Sequence, residues 1–261
     1  LDQLTEYGWP SITHIIGKDI LRFHTVYWPA MLLSAGLKPP ARVFGHGFIT
    51  REGQKMGKSL GNVLDPELLI EKVGINAVRW YLLKDLNFGA DGDFQVKRLV
   101  DIVNNDLANT IGNLLNRTIT MSRNWFSNRV PSYDIEPLQS REIEKYVNSK
   151  IKAYIDNMSR LNIQAACNEI LDIATFANGY LNDNYPWKKI KDPTNKNEVA
   201  YQIYNVLEST RIIGILLSPI LPQLSKNILS QLGYMNSFKH WDIHLDWGTL
   251  SQGSLLNPPS P

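Results

Sequence analysis

Only one cysteine, Cys167, occurs among the 261 residues. A single thiol excludes an internal disulfide and a multi-cysteine zinc site within the chain, so no metal site is assigned. It fits a reducing compartment. Long apolar runs are also missing. None approaches the roughly 20 residues of a membrane span, and Leu1 leads straight into polar and turn-like residues rather than a signal peptide. A surplus of one charge is missing too. The 27 Lys and Arg against 25 Asp and Glu leave a net charge of +2, too small to announce a nucleic-acid binder on average, although a local basic patch is compatible with it. There is no initiator Met, and the stretch 251–261 is rich in Ser, Pro, Gly and Asn and reads as a linker or tail. Both ends read as cuts within a longer protein.

What is present is an ordinary globular composition, 43% hydrophobic and 20% charged, divided into two textures. Residues 1–65 are rich in Gly and Pro. Short apolar runs at Thr13 to Ile16 and Arg42 to Phe44 read as buried strands, with a helix from Asp19 to Ser34 between them. This is the alternation of a parallel sheet. Loop signals cluster from Arg51 to Pro66. Residues 66–97 read as a connector. Residues 98–250 then show helical periodicity. Val103, Leu107, Ile111, Leu114, Thr118, Met121 and Trp125 fall within a stripe roughly 80° wide at about 100° per residue. Stripes on Ile143 to Leu161, Ile163 to Leu181 and Ile203 to Leu217 follow, and Pro219 and Pro222 precede a short last helix. The expected fold is α/β followed by all-α: the C-terminal part of a Rossmann-like domain, then an antiparallel helical bundle. Sixty-five residues are too few for a complete nucleotide-binding domain, which points to further sequence before Leu1.

The segment most informative for chemistry is Lys55-Met56-Gly57-Lys58-Ser59-Leu60-Gly61-Asn62-Val63-Leu64-Asp65-Pro66. Two lysines three apart, among the small residues Gly57, Ser59 and Gly61, can bend close to a ligand and present ammonium groups to a polyphosphate. A solvated basic turn is an equal reading of the same composition. There is no G-x-x-x-x-G-K-[ST] pattern, which argues against a Walker-type loop.

The segment resembles the KMSKS signature of class I aminoacyl-tRNA synthetases, including its LGNVxDP continuation. Gly57 stands where the usual pattern has Ser, a variant similar to that of cyanobacterial and plastid-type enzymes. Upstream, Trp9-Pro10 and the run from His14 to His24 resemble the strand-to-helix segment of the methionyl-tRNA synthetases. The resemblance implies that Lys55 and Lys58 are catalytic. It places ATP, with Mg2+, against Asp19 (ribose), Phe48 and Ile49 (adenine, through main-chain groups), and Lys55, Met56, Gly57, Lys58 and Ser59. It assigns Ile20 and His24 to the methionine side chain. Gly45-His46-Gly47-Phe48 is not the HIGH signature, because it immediately precedes the lysine loop. Neither HIGH nor a zinc knuckle occurs in the sequence, so the chain alone is expected not to activate methionine.

A second resemblance lies in the helical half. Asp106-Leu107-Ala108-Asn109 and Gly112-Asn113-Leu114-Leu115-Asn116-Arg117 are similar to a helix of the methionyl family. Asn113 and Arg117, four apart, stack one above the other off the apolar stripe. An amide and a guanidinium fork suit base edges of unstacked nucleotides, though a solvated polar face has the same pattern. Trp187, after Tyr185-Pro186 and beside Lys188, Lys189 and Lys191, could stack a base or cap the core. The resemblance implies that Asn113, Arg117 and Trp187 read the CAU anticodon of tRNA(Met). In the connector, Asp91-Gly92-Asp93-Phe94 and the run from Ala77 to Leu83 are similar to the family's stem-contact region, with Asn76 in place of the usual Asp. Its implied role is structural.

The implied function is ATP-dependent attachment of methionine to tRNA(Met), in a bacterial cytoplasm or in a plastid or mitochondrion, with no membrane partner. Three alternatives carry less of the sequence. They are a non-catalytic anticodon-binding module, a valyl- or isoleucyl-type enzyme, and a helical scaffold with a decayed site.

Overall fold

The computed structural model describes residues 8–134, 141–234 and 244–258; the side chain of Lys58 lies outside the description, as do the last three residues of the expected tail. The chain divides into two compact units, Leu1–Pro66 with Leu86–Val96 and Glu67–Asp85 with Lys97–Pro261. The expected connector at 66–97 is therefore not a separate piece. Its helical part belongs to the second unit and its strand to the first.

In the first unit, β1 (Thr13–Gly17) and β2 (Arg42–His46) pair in parallel with His14 opposite Val43. This is the expected strand–helix–strand. The helical part is less regular than a single helix. It runs through a tight turn at Lys18–Ile20, an i→i+5 winding at Phe23–Tyr27, and α1 (Trp28–Ser34). The expected loop at Arg51 to Pro66 begins with a hairpin of β3 (Ile49–Arg51) and β4 (Gln54–Lys55). Its two turn residues, Glu52 and Gly53, both have positive φ, 51° and 77°, which matches the twist of paired strands. A third strand, β5 (Gly92–Phe94), pairs in parallel with β3 on its other edge. Gly47 is a position where only glycine fits. A Cβ there would run into the main chain of Ala90 and Asp91.

The second unit is helical: α2 (Pro66–Val73), α3 (Ile75–Lys84), α4 (Val96–Ile102), α5 (Asn113–Trp125), α6 (Glu142–Ser159), α7 (Ile163–Asn184), α8 (Pro186–Lys189), α9 (Lys196–Leu216) and α10 (Pro222–Gln231). Between α4 and α5 the chain keeps winding, but with i→i+5 bonds over Val103–Gly112; Thr110 Oγ1 donates to the carbonyl of Asn105 at 2.7 Å. Such wide turns are rare and concentrate at functional sites. They also break the 100° step on which the first stripe was drawn. Even so, Ile111, Leu114 and Thr118 are buried while Asn113 is exposed and Arg117 is half-buried. Leu161, expected at the end of a stripe, instead has φ 63° in the turn between α6 and α7.

The fourth stripe differs most from expectation. Every residue of α9 from Val199 to Leu216 is buried, on all sides. Its polar members find partners inside. Glu208 and Arg211, both fully buried, form a two-bonded ion pair at 2.8 and 2.6 Å. The Glu208 carboxylate also accepts from the amides of Gly248, Thr249 and Leu250. Arg211 donates to the carbonyls of His244 and Asp246. The stretch 251–258 is not a free tail. The amide of Val130 donates to the carbonyl of Ser254 at 2.9 Å, and Leu256 is 2% exposed. Composition alone pointed to a tail; Leu256 supplies the apolar anchor that composition averages away, while Leu255 stays exposed.

Candidate functional site

The first candidate site lies in the α/β unit beyond the C-terminal ends of β1 and β2, where parallel sheets present ligands. Asp19 follows β1 and is exposed. Its carboxylate folds back toward β1, where a Cβ on Gly17 would meet Oδ1 at 2.5 Å, a contact the exposed side chain can relieve by rotating. Beside it, Lys18 Nζ donates to Asp91 Oδ2 at 2.6 Å and lies 4.9 Å from the Phe48 ring. The amide of Phe48 donates to Asp91 Oδ1 at 2.8 Å, and its carbonyl accepts from Gly92 at 2.9 Å. The Phe48 amide is thus taken up by Asp91, while its carbonyl keeps a second lone pair beside the bond from Gly92. The ring is 47% exposed. In a parallel ladder alternate residues bond to the neighbour, so the peptide groups of Ile49 point away from β5.

Asp91 and Asp93 were read from the sequence only as part of a structural connector; the structure gives each a task. Asp93 Oδ1 accepts from Thr50 Oγ1 at 2.6 Å and from the Gly53 amide at 2.7 Å, fixing the hairpin turn that leads into the lysine loop. Asp91 joins Lys18 to Phe48, and the Lys18 hydrogen bond, followed by the Phe48 amide, holds its carboxyl below the ordinary value of 3.8. A carboxyl with a depressed folded pKa contributes stability that is present above 3.8 and lost as pH falls through the lowered value. Amide exchange at Phe48 should therefore stay slow at pH 5 and accelerate below the lowered pKa, and Asp91→Asn should remove that acid dependence. A Phe48 amide equally protected across this range in both forms would contradict the assignment.

The lysine loop is held by a residue to which the sequence assigned no role. Asn62 Nδ2 donates to the carbonyl of Lys55 at 3.1 Å, and its Oδ1 accepts from the Gly57 amide at 2.9 Å. Leu60 closes a turn onto the Gly57 carbonyl at 3.0 Å. Lys55 and Ser59 are exposed, while Met56 and Gly57 are half-buried. An asparagine within a glycine-rich loop is the available signal, since its amide can bond two main-chain groups at once.

Ile20 and His24 are brought together by a hydrogen bond from His24 Nδ1 to the Ile20 carbonyl, 3.0 Å. A carbonyl only accepts, so Nδ1 is the donor in this contact. Four residues further, Trp28 extends the same spacing. Its ring lies 4.8 Å from His14, 5.9 Å from His24 and 5.9 Å from Trp9, mostly edge to face. His14 Nε2 is buried without a hydrogen-bond partner among the described residues. Trp28 and His14 were missed as site residues. The i, i+4, i+8 series Ile20, His24, Trp28 was there to find one of them.

The second candidate site lies in the helical unit. Arg117, on α5, donates to Asn178 Oδ1 at 3.4 Å and to Asn182 Oδ1 at 3.1 Å, both on α7. Its guanidinium carbon lies 5.8 Å from the centre of the Trp187 ring. Arg117 and Trp187 are therefore brought together, and exposed Asn113 sits one turn earlier on the helix of Arg117. Trp187 is half-buried, so its ring is only partly committed to packing. Lys189, one of the three lysines beside Trp187, pairs with Glu198 at 2.6 Å. Asn178 and Asn182, one turn apart on α7, are the anchors that sequence reading missed.

Two family models match the chain: "tRNA synthetases class I (M)" over residues 6–119 and "Anticodon binding domain of methionyl tRNA ligase" over residues 130–260. A methionine–tRNA ligase of a Nostoc species is 45% identical over 97% of this chain and 49% of its own length. The chloroplastic/mitochondrial methionine–tRNA ligase of Arabidopsis thaliana is 42% identical over 100% and 43%. Among solved structures, a Mycobacterium tuberculosis methionyl-tRNA synthetase in complex with methionyl-adenylate superposes with a TM-score of 0.92 at 33% identity, covering 99% of this chain and 51% of that one. The chain spans about half the length of the curated relatives it matches. No helix among the described residues is long and apolar enough to cross a membrane.

Proposed function

Because the chain belongs to the methionyl-tRNA ligase family of class I synthetases, we propose that it supplies two parts of ATP-dependent methionine attachment to tRNA(Met). One part is the lysine-loop side of the adenylation site. The other is recognition of the CAU anticodon. In that reaction the methionine carboxylate attacks the α-phosphate of ATP, delivered with Mg2+, and pyrophosphate leaves; the adenylate then passes its acyl group to the tRNA 3′ end. No protein nucleophile is needed. Asp19 holds the ribose. Ile49 offers main-chain groups to adenine, and the Phe48 ring packs beside it. Ile20, His24 and Trp28 receive the methionine side chain, whose sulfur is favoured against aromatic edges. Lys55 and Lys58 meet the phosphates, with Met56, Gly57 and Ser59 bending the loop toward them. The reaction belongs wherever such a tRNA is charged, a bacterial cytoplasm or a plastid or mitochondrion.

The observation that carries the anticodon part is the Arg117–Trp187 pair, with Arg117 aimed by Asn178 and Asn182. A fork already oriented by two amides loses little freedom on meeting a base edge. The test is binding of hairpin RNAs by this chain at fixed salt. A CAU loop should bind more tightly than loops with other anticodons. Trp187→Ala should weaken CAU binding by about five- to a hundred-fold, the range for removing one stacking ring. Equal affinity for all loops would sink the assignment.

A further inference from the structure

We propose that Tyr185 forms a second base-stacking subsite beside Trp187, taking the nucleotide next to the one that Trp187 holds. The inference rests on the anticodon reading above and adds to it a ligand-binding residue. Tyr185 ends α7 in the left-handed region, at φ 48° and ψ 50°. That conformation is common for glycine and asparagine at helix ends and unfavourable for a bulky residue. The strained backbone leaves its side chain 48% exposed. An exposed aromatic ring in a strained position is a poor solution for packing alone, and such strain concentrates where ligands bind.

The ring does not stand alone. Its centre lies 5.8 Å from that of Trp187 with the planes 80° apart. Lys188 Nζ lies 4.2 Å from the Tyr185 centroid, as the Arg117 guanidinium lies 5.8 Å from that of Trp187. The cluster is thus two aromatic planes, each with its own cation. Planes at 80° cannot stack the two faces of one base, so they serve two bases turned relative to each other, as neighbouring nucleotides splayed from a loop are. Lys188 is exposed and can exchange its ring contact for the phosphate between those nucleotides, with the counterion release that follows. Pro186 between the rings is buried and fixes their separation.

The test uses the 261-residue chain and a hairpin RNA with a CAU loop, carrying 2-aminopurine at each loop position in turn. Tyr185→Asn removes the ring while suiting the left-handed backbone, and Tyr185→Phe keeps it. Tyr185→Asn should weaken binding about tenfold without lowering the melting temperature, and Tyr185→Phe should bind as the parent does. In the parent, two adjacent loop positions should change fluorescence; in Trp187→Ala only one of them should lose its response. Parent-like binding by Tyr185→Asn, with Trp187→Ala impaired, would overturn the second subsite and leave the anticodon reading standing. Parent-like binding by both variants would remove both. Equal weakening by Asn and Phe would assign the effect to the hydroxyl and overturn stacking. Should Tyr185→Asn fold poorly, a fluorescence response at one position alone in the parent overturns the proposal.

Discussion

Glu208→Ala should destabilise the helical unit by about 3–5 kcal/mol, the range for removing one partner of a buried ion pair. The expectation rests on what Arg211 would face. It is fully buried, with two donors on Glu208 and two on the carbonyls of His244 and Asp246. Without the carboxylate, a full positive charge remains inside with neutral acceptors only. Three amides, of Gly248, Thr249 and Leu250, lose their acceptor as well. Replacing both members with Leu and Met would remove the stranded charge but not restore those amides, so the double variant should recover part of the loss and no more. Urea unfolding followed by circular dichroism gives the number. A loss under about 1 kcal/mol for the single variant would mean that water reaches the pair and that the pair does not pin residues 244–250.

The same pair shows why sequence reading reached some features and not others. The strands around His14 and Val43, the helices of the bundle and the grouping of Arg117 with Trp187 all follow from local spacing or from motif resemblance. Glu208 and Arg211 are three apart on a helix and look like a surface pair; only the burial of α9 on every side makes them a core feature, and burial is set by neighbours far along the chain. Asp91 is likewise unreadable alone, because Lys18 is 73 residues away. The i→i+5 winding at Val103–Gly112 leaves no mark in composition, so a phase drawn at a constant 100° holds along α5 but not across the winding. Phe48 is the instructive case. Its place in the motif suggested a free amide, and the Asp91 carboxylate that takes it is 43 residues later. Residues that act through main chain are hidden in this way, whereas those that act through charge or rings, such as Lys55 or Trp187, are legible.

The second large effect is expected at Lys58. In a chimera that joins this chain to the N-terminal half of the Nostoc relative, Lys58→Ala should lower methionine-dependent ATP–pyrophosphate exchange by about 10²–10³-fold, the range for losing one group that stabilises developing transition-state charge. RNA-hairpin binding should be unchanged, because Arg117 and Trp187 belong to the other compact unit. Gly57→Ser is the informative contrast, since it restores the usual residue of the KMSKS pattern one position away. A Cβ at Gly57 would sit 3.6 Å from Leu60 and 3.9 Å from Ser59 Oγ, ordinary contacts. The Gly57 amide would keep its bond to Asn62 Oδ1. Glycine is therefore not sterically required, and exchange by Gly57→Ser should stay within about threefold of the parent, because a neutral hydroxyl adds at most one modest hydrogen bond. A loop whose function lies in its ammonium groups tolerates that change and not the loss of Lys58. If Lys58→Ala left exchange intact, or if Gly57→Ser abolished it, the loop would be acting through its backbone shape, and the lysines would lose the role assigned to them.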